Sequence, residues 1–585
     1  MTSNAQAHRN TVIVYLRYRL SHPTNSQTGQ PWGKAAMDLH LVIQAGIVHT
    51  QDTSTRFCSD VCTLQGNPVT ALEPLLLLHP SDNVAVARRS LQSGETLTVA
   101  GKTLQIAEAV PANHKVAISE IRERDIIRKF GQPIGSARSP IASGQWVHVH
   151  NVSIERDKSG YEFCTDIVEF PKPADSRTFM GFRRKDGRAG TRNYIALIST
   201  VNCSATTSRY VAQELAKSDL SRYGNIDGVI PIVHKSGCAF AYNGDDHLLL
   251  NRTLAGFARH PNIAACLVLG LGCETAQAGH LQESQGLVQL GGAKRREPDD
   301  SLPMILNIQE IGGVRKTVDK AVGVMRELMV HADAARREPI PLSELTLGLQ
   351  CGGSDGVSGI TANPALGYAS DLLVAHGAGS VLAETPEVYG AEQLLTRRSV
   401  SRAVADRLLD RIRWWEDYAK KNNASIDNNP SYGNKQGGLT TIIEKSLGAV
   451  AKGGTAPLRA VYQFAEPITE RGFTFMDTPG YDPISVTGLV AGGCQVVVFT
   501  TGRGSCFGCK PAPTIKVATN SPIYHHMRDD MDLNAGSILE GASVESVGEE
   551  IFEKIIATAS GEKTLSEQQG IGDEEFCPWM PGPIF

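Results

Sequence analysis

The chain has 585 residues, 41% of them apolar, and a formal net charge of −4. That length suggests roughly two to four domains, and the absence of a basic tract argues against a nucleic-acid footprint. The longest apolar runs, "LEPLLLLH" (72–79) and "CLVLGLGC" (266–273), fall well short of the roughly 20 residues of a membrane span. The 12 cysteines are scattered, several beside glycine, which fits reduced thiols better than a disulfide framework. With no secretory pattern at its start, the chain is expected to be a cytoplasmic enzyme.

Residues 1–72 are polar and turn-rich and read as an extension, partly disordered or loosely attached. Over 73–153, short alternating runs broken by Ser-Gly, Ala-Gly and Pro-Ala predict a small β-rich module. A polar linker, 154–178, follows. The texture then becomes α/β, with 179–340 as a first domain and 341–585 as a second. "YIALISTVNC", "IDGVIPIVHKSGC", "NIAACLVLGLGCE" and "LTLGLQCGGSDG" are each an apolar, β-rich run ending at cysteine. Such continuous runs are what parallel strands buried on both faces require. The expected class is therefore α/β multidomain, mostly parallel and Rossmann-like, behind a β-rich N-terminal module.

Ligands bind beyond the carboxyl ends of the strands in such sheets, so the strand-end residues carry the candidate chemistry. Cys203, Cys238, Cys273 and Cys351 are metal, cluster or substrate contacts, or else small buried hydrophobes. "HKSGCAFAYNGDDH" places His234 and His247 near Cys238, and Glu274 adjoins Cys273. "CGGSDGVSGITANP" (351–364) is too glycine-rich for a helix or strand interior. It reads as a loop left bare so that a ligand can approach its backbone. "ETPEVYGAE" offers Glu384, Glu387 and Glu392. The loop over 428–454 carries Lys435, Lys445 and Lys452, suited to an anionic substrate, and "TTGRGSCFGCKPAPTIK" adds Arg503, Lys516, Cys506 and Cys509. In the β module, His148 and His150 alternate on an expected strand. They form a two-imidazole metal site or a wet face.

Assembled, these motifs resemble the altronate dehydratase / galactarate dehydratase family. The likeness rests on "GFRRKDGRAGTRNYIALISTVNCS", "LGLQCGGSDGVSGITANPALG", "ETPEVYGAEQLL", "NPSYGNKQGGLTTIIEKSLG" and "TGRGS…KPAPTIKVATN", and runs from about 73 to the C-terminus. Residues 73–153, with "HPSDNVAVA", "NHKVAI" and "GQWVHVHN", resemble its SAF domain. The resemblance implies dehydration of a sugar acid to a 2-keto-3-deoxy acid, supported by Fe2+ or another divalent metal such as Mn2+. Its rival in cofactor is an iron–sulfur cluster on three of the strand-end cysteines. On this reading His79, His114, Cys238 and Glu274 hold the metal, and His234, His247 and Lys435 are catalytic. Ser354, Asp355, Asn363, Arg503 and Lys516 bind substrate. The "HVHN" and "GDDH" segments look closer to altronate than to galactarate dehydratases, so D-altronate is expected. Galactarate, or a sulfolactate-type sulfo-lyase reaction on the same fold, is the alternative. The partner expected is a small-molecule sugar acid, with neither nucleic acid nor membrane, and homo-oligomerisation is left open. A non-catalytic sugar-acid sensor is disfavoured because no DNA-binding element accompanies the site-like motifs.

Overall fold

The computed structural model describes residues 73–154, 160–170, 173, 175–218, 220–277, 281 and 304–581. The extension expected over 1–72 lies outside the described residues. Ala71–Phe585 form one compact unit.

The β module is built from short antiparallel pairings. Val84–Ala87 lies between Leu75–Leu76 and Lys115–Ala117, with Trp146–Val147 on the far side of the latter. Alternation splits the side chains of the first of these strands. Ala85 and Ala87 pack with Leu91, Val99 and Leu104 in a small core of the module's own, whereas Val84 joins the main core of the C-terminal domain. A further sheet pairs Ile126–Lys129 with Gln132–Ala137, and its turn places both Phe130 and Gly131 at positive φ. That turn projects toward the C-terminal domain. The alternating strand expected to carry His148 and His150 ends at Val147. Both histidines sit in the turn that follows, where Asn151 N–H bonds back to His148 O.

The α/β expectation holds for the remainder. Gly228–Ile232, Tyr194–Ser199, Ile263–Gly270 and Met304–Asn307 form a parallel sheet in that order. Ile195 and Leu197 face the helices Asn202–Ser218 and Val314–Asp333, while Tyr194, Ala196 and Ile198 face the helix Asp245–Ala258. Helices on both faces explain why these strands read as unbroken apolar runs. The C-terminal domain has a seven-stranded parallel sheet, ordered Leu458–Tyr462, Gly472–Met476, Gly379–Leu382, Thr346–Cys351, Val496–Thr501, Thr514–Ala518 and Leu533–Asn534. The two α/β domains meet where the helix Asp245–Ala258 crosses Asp482–Gly492. A Cβ on Gly256 would come within 2.3 Å of the Ala491 carbonyl, so glycine sets the closeness of that crossing. Among the described residues, no helix is long and apolar enough to cross a membrane.

Candidate active site

Thr346–Cys351 is the central strand of the seven-stranded sheet. The chain leaves it to build strands on one side and returns to build Val496–Thr501 on the other. Cys351 therefore ends the strand where the winding reverses, the usual place for a ligand in an open α/β sheet. The bare loop after it is not an open cradle. A Cβ on Gly352 would fall 2.4 Å from Asp482 Oδ2, on Gly356 2.2 Å from Asn113 O, and on Gly359 2.7 Å from Gly448 Cα. These glycines let three other chain segments close against the loop.

Beneath the loop lies a buried cluster of charge. Cys351, Glu384 and Glu387 place ligand-type atoms within 4.8 Å of one another. Lys452 Nζ donates to Cys351 Sγ at 2.8 Å and to Glu384 Oε2 at 3.0 Å. Lys445 Nζ donates to Glu387 Oε1 at 2.6 Å and to Asn429 Oδ1 at 2.7 Å. Burial pushes the Cys351 thiol well above its usual range. Although burial opposes it, the acidic neighbours keep both Lys445 and Lys452 charged. Gln350 Nε2 then bridges Glu384 Oε1 (2.8 Å) to Asp482 Oδ1 (3.1 Å). Three carboxyl groups thus face two ammonium groups. Burial, with Glu384 and Glu387 nearby, raises Asp482 to about 7, so this group holds a proton near neutrality.

A second charged knot joins the β module to this domain. Glu444 is completely buried and receives Lys115 Nζ and Lys129 Nζ, each at 2.9 Å. Against the effect of burial, the two ammoniums hold its carboxyl far below the usual range, while burial lowers Lys115 to about 8. The module's motifs serve this docking. Asp82 accepts from the Phe130 and Gly131 N–H groups at 3.1 and 2.7 Å and so fixes the turn that presents Lys129. His114 Nε2 lies 3.1 Å from Gln436 O. Between the two knots lies a small, partly open cavity of about 10 Å³, lined among others by Lys129, Phe130, Cys351, Ser354, Asn363 and Lys445. Among the described residues, Ser354 Oγ is buried there without a hydrogen-bond partner.

Of the residues expected to bind substrate, Ser354, Asp355 and Asn363 line this cavity. Asn363 is tied to Thr500 and Gly448, and Asp355 turns its carboxylate into bonds from Ser358, Thr519 and Asn520. Arg503 is exposed outside the cavity lining. Lys516 is buried in its strand, donating to Phe507 O at 3.1 Å and to the Ser566 hydroxyl, so it is a core residue. Lys435 is half-buried on the short helix Tyr432–Gln436, whose Asn434 amide donates to Ser354 O at 2.8 Å.

The expected metal ligands do not converge. His114 already accepts from Trp146 Nε1 at 3.1 Å on one nitrogen and faces Gln436 O with the other. His79 is exposed and turned to Ser81 at 2.7 Å. Glu274 accepts from Thr200 Oγ1 and from the Leu271 and Gly272 N–H groups, and Cys238 is exposed in the other α/β domain. The expected catalytic histidines are also engaged. His234 Nε2 lies 2.9 Å from Ser199 O, its Nδ1 accepts from Ser236 N–H, and burial lowers it to about 4. His247 pairs with Asn243 N–H and the Asn251 amide, both at 3.1 Å. Asp482, Lys129 and Glu444 carried no local sequence signal that would have singled them out. The lysine partners of Glu444 and the Gln350 partner of Asp482 lie more than a hundred residues away in the chain.

Three regions match described families. Residues 342–584 match "D-galactarate/Altronate dehydratase, C-terminal", residues 181–333 match "D-galactarate dehydratase/Altronate hydrolase, second domain", and residues 73–155 match "Altronate/galactarate dehydratase SAF domain". Altronate dehydratase of Bacillus subtilis is 38% identical over 502 residues, covering 85% of this chain and 97% of that protein. Altronate dehydratase of Escherichia coli is 35% identical over 492 residues, 84% and 96% respectively. Galactarate dehydratase (L-threo-forming) of Escherichia coli is 35% identical over 515 residues, 87% and 97%.

Proposed function

The chain belongs to the D-galactarate/altronate dehydratase family and is a sugar-acid dehydratase; we propose that its substrate is D-altronate, converted to a 2-keto-3-deoxy acid under the β module, at a cavity that holds about one water as it stands and must widen to admit it. The observation that carries the location is Ser354 Oγ, a buried hydroxyl with no partner among the described residues, in a cavity walled by Lys129 and Lys445. A buried polar group is ordinarily satisfied, and a hydroxyl or carboxylate oxygen of the substrate would complete it.

The chemistry follows from the charges. Removing the proton beside the carboxylate builds negative charge on that carboxylate, and fixed ammonium groups in a water-poor cavity stabilise it as it forms. Lys129 and Lys445 bring two ammoniums to the cavity's wall, beside the Glu444 and Asp355 carboxylates. Loss of the neighbouring hydroxyl needs a proton donor whose pKa is close to the working pH. Asp482, raised to about 7 but outside the cavity lining, would act on the reaction only through Gln350 and Glu384.

The divalent ion expected from the resemblance was tested against the one close donor group among the described residues, Cys351, Glu384 and Glu387. These donors do not fit it as they stand. Burial raises the thiol, and Lys452 and Lys445 already occupy the two carboxylates and supply the positive charge they require. No step above runs through a metal.

The assay that tests the substrate is formation of 2-keto-3-deoxy acid from D-altronate, galactarate and other sugar acids under anaerobic conditions. The expected result is the highest kcat/KM on D-altronate. A clear preference for galactarate would overturn it and leave the second reading, supported by the 35% identity to the relative named galactarate dehydratase, the same as to the altronate dehydratase of Escherichia coli.

A further inference from the structure

A cavity of about 250 Å³, partly open to solvent, lies where the second domain meets the C-terminal domain. Tyr194, Asp227 and Gly228 line it from the second domain, and Lys510, Lys563 and Glu567 from the C-terminal one. It shares no lining residue with the cavity at Ser354. A single water needs roughly 10–15 Å³ of such space. This cavity therefore admits a molecule of several heavy atoms without widening.

Its walls are held by pairing across the two domains. Glu567 accepts from Arg192 Nε at 2.7 Å and from Nη2 at 2.8 Å, while Arg192 Nη1 donates to Thr558 O at 2.8 Å. Arg192 is buried, so this clasp fixes the cavity's width. Gly228–Ile232 is the outer strand of its sheet and pairs only with Tyr194–Ser199 among the described residues. One row of its backbone N–H and C=O groups is left open along the cavity. A Cβ on Gly228 would sit 3.1 Å from the Tyr194 ring, so the missing side chain lets the ring lie against that edge.

The unspent groups define the ligand. Tyr194 is 6% exposed, and its hydroxyl has no hydrogen-bond partner among the described residues. Burial, with the Glu567 and Asp227 carboxylates nearby, pushes the phenol up, so it keeps a proton to donate. Lys510 is matched by Asp573 at 2.7 Å, and Glu567 by Arg192. Lys563 is exposed and has no carboxylate partner among the described residues, and the Asp227 side chain accepts only the Asn193 N–H, at 2.6 Å. One free ammonium, one phenol donor and one carboxylate with acceptor capacity to spare suit a molecule with a single carboxylate and neighbouring hydroxyls. A multiply charged phosphate would meet Asp227 with like charge. An uncharged polyol would leave Lys563 unused.

We propose that this interdomain cavity binds a small hydroxy monocarboxylate as a second ligand, its carboxylate on Lys563 and Tyr194 and a hydroxyl donating to Asp227. A ligand held by both domains stabilises the folded chain by mass action. The site stands or falls separately from the location of the reaction, because none of its groups belongs to the cavity at Ser354.

The test is isothermal titration of the whole chain with quinate. This hydroxy monocarboxylate has no hydrogen beside its carboxylate and so cannot undergo the proposed dehydration. Saturable binding is expected, tighter than that of inositol, cyclohexanecarboxylate or inorganic phosphate, with a melting temperature that rises as quinate is added. Tyr194→Phe and Lys563→Gln should each weaken quinate by roughly tenfold, and Ser354→Ala should leave it unchanged. The proposal is overturned by an absence of saturable binding or by inositol or phosphate binding as tightly as quinate. Unchanged affinity in folded Lys563→Gln, or a loss confined to Ser354→Ala, would overturn it equally. Lys563 is exposed, so its variant decides the matter even where Tyr194→Phe does not fold.

Discussion

Lys452 Nζ stands 2.8 Å from Cys351 Sγ and 3.0 Å from Glu384 Oε2, and none of the three side chains reaches solvent. The ammonium neutralises a carboxylate that could not stay buried alone. Lys452→Met should therefore destabilise the chain by about 3–5 kcal/mol, the usual consequence of leaving one partner of a buried pair uncompensated. Adding Glu384→Gln should recover part of that loss. Denaturant unfolding of the two single variants and the double variant measures the coupling directly.

Asp482 should shape the pH dependence. Its pKa is raised from 3.8 to about 7 in the folded chain. A raised pKa contributes stability fully present below the unfolded value and lost as pH rises through the folded one. Asp482→Asn should thus gain stability relative to the parent chain between pH 4 and 7. Acting on the cluster through Gln350 and Glu384, Asp482 should also give kcat/KM a limb that falls as pH rises through about 7. The variant should lose that limb along with much of its rate. Thermal unfolding and rate profiles across this range check both.

Ser354→Ala separates binding from folding. Removing a buried hydroxyl that has no partner costs the empty protein little, because no bond is lost. The same substitution should raise KM for D-altronate by roughly tenfold, about one hydrogen bond's worth. An unchanged KM would show that Ser354 does not meet the substrate.

The seat of the β module depends on a missing side chain. A Cβ on Gly356 would lie 2.2 Å from Asn113 O, so Gly356→Ala should push the module off its seat, lowering stability by roughly 1–3 kcal/mol and reducing turnover. Gly433 meets nothing within 4 Å, and Gly433→Ala is the control expected to keep activity. Melting temperature and kcat, compared between the two variants, test this.

The strands and their order of use were legible because each buried parallel strand leaves a continuous apolar run, and Cys351, Ser354 and Asn363 could be placed at a strand end from that pattern alone. What the sequence concealed is pairing across distance. Lys115 and Glu444 are 329 residues apart, and nothing near either one announces the other. His234 and His247 looked like bases because histidine titrates near neutrality. The structure shows their ring nitrogens occupied by backbone and amide groups. The bare loop of 351–364 was read as open to a ligand, but its glycines are filled by Asp482, Asn113 and Gly448. Composition reveals a missing side chain and cannot say what takes its place.

The central claim is that the sugar acid is bound between the β module and the strand end at Cys351. The most direct measurement is a crystal structure of the chain soaked with a slowly reacting aldonic acid. Density is expected for its carboxylate end within hydrogen-bond distance of Lys129 or Lys445, and for an oxygen on Ser354 Oγ. Density instead at the loops of Cys203, Cys238 and Cys273, with the cavity beside Ser354 unchanged, would contradict it.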